Sequence, residues 1–161
     1  MADMRDAFKK AGFKEAEKQT DPSKQHRAPS DKGGQYTLSN NYAAQAEEVI
    51  VELKKSMGRE YQNFTTSKIR NMLAMVNSIY NDVLNEPDEA LSLELQSRIE
   101  YLKVRLVYEC GREPRIVKPF VDKAKLLSLL ENIGDDRKRF LDFARYMEAL
   151  VAYHRFHGGR D

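Results

Sequence analysis

From Leu38 onward the apolar residues recur every three or four positions, the period of an α-helix with one buried face. Tyr42, Ala46, Val49, Ile50, Leu53 and Met57 form the first stripe and predict a helix from about Asn41 to Met57, capped by Ser39, Asn40 or Asn41 and stopped by Gly58. A second helix is expected from Thr65 or Thr66, carrying Ile69, Leu73, Val76, Ile79 or Tyr80, and Val83. Pro87 stands where a third would begin, since a first-turn residue needs no N–H partner. Leu91, Leu95, Ile99, Leu102 and Leu106 then lead to Cys110-Gly111. Val117, Phe120, Val121, Ala124, Leu127 and Leu130 predict a fourth helix, from about Pro114 to Pro119 as far as Gly134. Asp135 and Asp136 cap a fifth, with Phe140, Phe143 or Ala144, Met147, Leu150, Val151 and His154 on its stripe and Gly158-Gly159 at its end. No stretch alternates with the period of two that a half-buried strand needs. The expected fold is all-α, a five-helix bundle over residues 38–161.

Residues 1–37 break the pattern. MADMRDAFKKAGFKEAEKQ allows a short amphipathic helix over residues 3–18, and TDPSKQHRAPSDKGGQ has no apolar period. Such a composition buries too little surface to offset ordering entropy, so this part is read as a flexible, mildly basic extension, inert or used for protein docking.

The whole chain carries 27 Lys and Arg against 25 Asp and Glu, a formal charge of +2. Eight of those cations and six of those acids fall in the first 35 residues, leaving the remainder neutral. Any grip on a polyanion must therefore come from the arrangement of charge. The single cysteine, Cys110, permits no internal disulfide, which fits a reducing compartment. No apolar run approaches the ~18 residues of a membrane helix, and the N-terminus lacks a signal-peptide core, so a cytoplasmic protein is expected.

Three clusters interrupt the neutral background. In FTTSKIRNMLAMVN, Lys68 and Arg70 fall in the first turn of a helix, where the dipole disfavours cations. A phosphate accepting from the free N–H groups there, flanked by both side chains, would reverse that penalty; alternatively a threonine caps the helix and the cations point to solvent. In EYLKVRLVYECGREPRIVKPF, Lys103, Arg105, Arg112, Arg115 and Lys118 gather beside Glu109 and Glu113, with Lys103 bordering the apolar face and Arg105 projecting elsewhere. The alternative for this group is a solvated rim of weak ion pairs. In the last helix Arg137, Lys138, Arg139, Arg145 and Arg155 accompany Tyr146, Tyr153 and Phe156, aromatics that either pack or stack.

Enzyme chemistry finds no footing. His154 and His157 are three apart, but no third metal ligand is evident. No arginine stands four to six residues before a histidine, as in some helical ribonucleases. No glycine loop has a phosphate-cradling pattern, and nothing marks a nucleophile. The reading is no catalysis, no metal and no cofactor, with His154 a hydrogen-bonded core residue.

The blocks FTTSKIRNMLAMVNSIYN, IEYLKVRLVYECGRE, VKPFVDKAKLL and FARYMEALVAYHRFHGG, in this order, resemble one family: the small all-helical subunit of type III-A CRISPR effector complexes, of the Csm type. The resemblance covers about Ala43 to Asp161; the N-terminal segment lies outside it. It implies a non-catalytic antiviral-defence subunit, stacked with copies of itself into a minor filament beside the backbone and large subunits. Its partners would be the guide CRISPR RNA and a complementary single-stranded target RNA, held by their backbones without regard to sequence. Carried onto this chain, the RNA-binding positions are Lys68 and Arg70, then Lys103, Arg105 and Arg112, then Lys118 and Arg155. The resemblance implies structural roles for Leu73, Val76, Leu106, Leu127 and Met147, and a bundle-centre or inter-subunit role for Tyr146, Ala149, Leu150 and His154. A helical docking module without nucleic-acid contact is the alternative.

Overall fold

The computed structural model describes residues 36–161; the expected extension, up to residue 35, lies outside the described residues. The fold is all-α, with six α-helices among the described residues: α1 (Tyr42–Met57), α2 (Thr66–Asn85), α3 (Leu93–Arg112), α4 (Val117–Lys123), α5 (Leu126–Glu131) and α6 (Arg137–Phe156), and a 3-10 segment at Gly58–Asn63. Among the described residues the one β-type pairing is an isolated antiparallel bridge between Ala90 and Asp136.

The stripes read from the pattern face the core, although Tyr42, Met57, Tyr80, Leu127 and Val151 are only partly buried. α1 buries Ala46, Val49, Ile50 and Leu53, and turns at Gly58 through a left-handed φ of 55° that a side chain would oppose. α2 buries Thr66, Ile69, Met72, Val76, Ile79 and Val83, with Leu73 only partly covered. α3 buries Leu95, Ile99, Leu102, Leu106 and Cys110. α6 lies at the centre: α1 and α2 both pack along it, and Phe140, Phe143, Tyr146, Met147 and Leu150 are buried there. The Tyr146 hydroxyl donates to the Ala124 carbonyl at 3.1 Å, and burial pushes that phenol far above its ordinary pKa.

Four local expectations differ, the first being that α1 starts after Asn41 with no side-chain capping bond. Pro87 does not open a helix; α3 starts six residues later, where the Ser92 hydroxyl accepts from the Leu95 N–H at 3.4 Å. The intervening chain is pinned to the start of α6, with the Leu91 N–H donating to the Asp135 carbonyl at 2.7 Å. Gly111 lies inside α3 and does not stop it. The single fourth helix is two, because Lys125 adopts a left-handed φ of 57° between them. That break rotates the chain, so α4 buries Val117, Phe120 and Val121 while α5 buries Leu126, Leu129 and Leu130.

Candidate nucleic-acid interface

α2 begins without a side-chain cap: Thr65 has extended backbone and its hydroxyl makes no capping bond. The Thr66 N–H donates instead to the Arg160 carbonyl at 2.6 Å, so the segment following α6 closes the mouth of α2. Its approach is fixed by Gly158, with φ 84°, and by Gly159, where a Cβ would stand 2.2 Å from the His154 ring. The Thr66 side chain turns inward to His154. Both residues are fully buried. The Phe64 carbonyl can only accept, so Nε2 of His154 carries the proton and donates to it at 2.8 Å. Nδ1 then accepts from the Thr66 hydroxyl at 3.1 Å. Burial lowers the imidazole pKa against the opposing pull of the Phe64 carbonyl, and nearby Arg155 lowers it further. With both nitrogens used, His154 is the hydrogen-bonded core residue expected. His157 turns to Glu47 at 3.1 Å.

The expected anion site at this mouth is therefore filled from within. Arg70 Nη1 lies 3.7 Å and Arg155 Nη1 3.4 Å from the same Asp161 carboxylate. Lys68 leaves α2 toward α3 and pairs with Glu113 at 2.6 Å. The seven cations do not form one row. Lys68, Arg105 and Arg112 meet in a cleft of about 420 Å³ between α2 and α3, with Glu109 and Glu113 on its wall. Arg112 lies 3.7 Å from each of those two carboxylates. Arg105 has no carboxylate within ion-pair distance among the described residues; its guanidinium lies 5.8 Å from the Tyr108 ring centroid. Lys103 is on the other flank of α3, bound to Glu131 at 3.2 Å, and Lys118 stays on α4 with Asp122. Lys103 stands apart because of helical phase, residues 103 and 105 being about 200° apart on the wheel, and Lys118 because it lies on a different helix.

Tyr146 and Tyr153 are not free to stack on a ligand. Tyr146 is buried, and Tyr153 already lies against His157 with ring centroids 6.4 Å apart. The exposed tyrosines are Tyr101 and Tyr108 on α3, which the sequence reading passed over. Their signal was present: seven residues apart, they fall opposite the Ile99–Leu102–Leu106 stripe. Arg98, paired with Asp82 and donating to the Ser78 carbonyl, was missed as well.

No helix among the described residues is long and apolar enough to cross a membrane. Residues 44–160 match the family described as Csm2 Type III-A. The chain is 38% identical over 123 residues to the CRISPR system Cms protein Csm2 of Enterococcus italicus, covering 73% of this chain and 87% of that one. The protein of the same name from Mycobacterium tuberculosis is 39% identical over 124 residues, covering 77% and 97%. That from Streptococcus thermophilus is 41% identical over 121 residues, covering 75% and 94%. With most of its helical domain matched in this way, the chain belongs to the Csm2 family of type III-A CRISPR systems.

Proposed function

We propose that this chain is the small, non-catalytic subunit of a type III-A CRISPR effector complex that holds guide and target RNA by their sugar-phosphate backbones in a prokaryotic cytoplasm. There it stacks with further copies of itself beside the backbone and large subunits. Membership of a type III-A complex follows from the family; RNA contact and stacking are the proposal. The observation that supports RNA contact is the convergence of Lys68, Arg105 and Arg112 on one cleft of a domain with no net charge. The carboxylates beside them do not close it. Arg112 is more than half exposed and its ion pairs at 3.7 Å are worth about 0–1 kcal/mol, so a phosphate can replace Glu109 or Glu113 at that side chain at little cost. Such contacts position a strand without reading its bases.

The test is anisotropy of a labelled single-stranded RNA against the full chain over a salt series. Log affinity should fall linearly with log salt. Arg105→Glu should weaken binding about three- to tenfold and flatten the slope by roughly 0.7–1, one phosphate contact. Circular dichroism should show unchanged helicity. No binding by the parent at low salt, or an unaltered slope in the variant, would sink the reading. The second reading is a protein-docking scaffold without RNA contact. It is favoured by one fact: of the seven positions, all except Arg105 already face a carboxylate.

A further inference from the structure

The core takes in ten of the thirteen Tyr and Phe of the described residues, with Tyr61, Phe64, Phe120, Phe140, Phe143 and Tyr146 buried and Tyr36, Tyr42, Tyr80 and Tyr153 partly so; besides Phe156 at the end of α6, the exposed ones are on α3. α3 departs from this rule. Tyr101 is 64% exposed and Tyr108 57%, on the side of the helix opposite Leu95, Ile99, Leu102 and Leu106. Val104 and Val107 stand exposed between them. A helix already buried along one face gains nothing for folding from a second apolar face; exposed apolar stripes on soluble domains mark binding surfaces.

We propose that this outward face of α3 is a stacking platform for unpaired nucleobases, with Tyr101 and Tyr108 as its rings and Arg105 between them. The inference rests on the RNA reading above and adds the chemical group that the platform takes. Continuity supports it. Arg105 lines the cleft that holds Lys68 and Arg112, and also an adjoining hollow lined by Tyr101 and Arg98. A strand whose phosphates follow those cations passes beside Tyr101, which lines that hollow, and beside Tyr108, whose ring lies next to Arg105. The Arg105 guanidinium lies within cation–π reach of Tyr108 and is free of carboxylate among the described residues, so it can stack on a base or hold a phosphate. The two rings are seven residues, about 10 Å, apart along the helix, roughly three rises of a stacked strand. Separate bases of one strand can therefore occupy them. A ring face accepts any base, so the platform keeps the sequence-indifference of the cleft while selecting single strands, whose bases are accessible, over duplexes.

The probe is an RNA 20-mer compared with an abasic strand of the same length and charge, each titrated against the full chain. Tyr101→Ala with Tyr108→Ala should lower affinity for the base-bearing RNA by about tenfold or more and leave the abasic strand unchanged. Tyr→Phe at both positions should restore binding. If the alanine variant binds both strands like the parent, while Arg105→Glu still loses affinity, the platform is refuted and the backbone reading stands. If the alanine variant keeps its RNA affinity but fails to join the effector complex, the face docks protein and the inference also falls. If the parent binds neither strand, the RNA reading itself has failed.

Discussion

At the start of α2, and again along the cleft between α2 and α3, cations stand beside a helix in the arrangement an anion would use, but the two places are in opposite states. At the α2 mouth the protein supplies the anion: Asp161 lies between Arg70 and Arg155, and the Arg160 carbonyl takes the first free N–H. In the cleft Arg105 has no carboxylate within ion-pair distance among the described residues, and Lys68 and Arg112 share Glu113. Connectivity makes the difference. The groups on Arg160 and Asp161 are tethered a few residues from α6, so a phosphate at the α2 mouth must compete against a high effective concentration. A helix start lined with cations is thus not by itself a vacant anion site. The dipole penalty on Lys68 and Arg70 is answered within the chain.

Breaking the filled region at its base gives the largest effect. His154 holds the Phe64 carbonyl, the Thr66 hydroxyl and, through its packing with Gly159, the segment that closes α2. His154→Ala leaves two buried polar partners unsatisfied and a ring-sized void, so it should cost about 3–5 kcal/mol. Urea unfolding followed by circular dichroism would measure it. If the cleft is independent of this region, protein that remains folded should keep the salt slope of its RNA binding.

A gentler way to strain the same region is acid. The folded pKa of His154 lies below its unfolded value, so in the window between them the unfolded chain binds the extra proton. The stability from the neutral ring is complete above the ordinary histidine pKa of about 6.5 and is lost as pH falls from there toward the folded value. This one group can contribute a slope of at most about 1.4 kcal/mol per pH unit. Urea midpoints of the parent should therefore fall below pH 6.5, and more steeply than those of His154→Gln, which keeps a donor for Phe64 but does not titrate. Equal slopes in the two proteins would assign the acid sensitivity to other groups.

How far the chain could be read in advance follows from the range of each force. Helices α1, α2 and α6 were legible because burial of one face imposes a period, and periods are local. The start of α3 was not, since Pro87 offered a plausible first turn and only the contact of Ala90 and Leu91 with Asp136 and Asp135 shows why the chain stays extended there. The break at Lys125 was hidden as well, for nothing in KAKLL marks a left-handed residue. At the candidate site the clustering of cations was legible and their pairing was not. Lys68 and Glu113 are 45 positions apart, and Thr66 and His154 are 88 apart. Tyr101 and Tyr108 were a different failure. Their phase on α3 is set by the sequence, opposite the buried stripe and on the same side as Arg105, but phase alone does not tell an exposed ring from one covered by another element.

The smallest expected effect is also the one that separates the two regions most directly. Asp161→Asn removes the charge shared by Arg70 and Arg155 while leaving the Arg160 carbonyl and both glycines in place. Because that carboxylate is more than half exposed, its ion pairs should add well under 1 kcal/mol, and the urea midpoint should hardly move. RNA binding should respond differently. With the tethered competitor neutral, Arg70 and Arg155 become available to phosphate, and affinity should rise about two- to threefold with a slightly steeper salt slope. Adding Arg70→Gln to Asp161→Asn should cancel part of the gain, whereas Arg105→Glu should lower affinity in either background by the same factor, since the two places share no partner. A gain that survives the loss of Arg70 would mean that Asp161 acts only through the overall field of the domain, and the α2 mouth would then have no part in holding a strand.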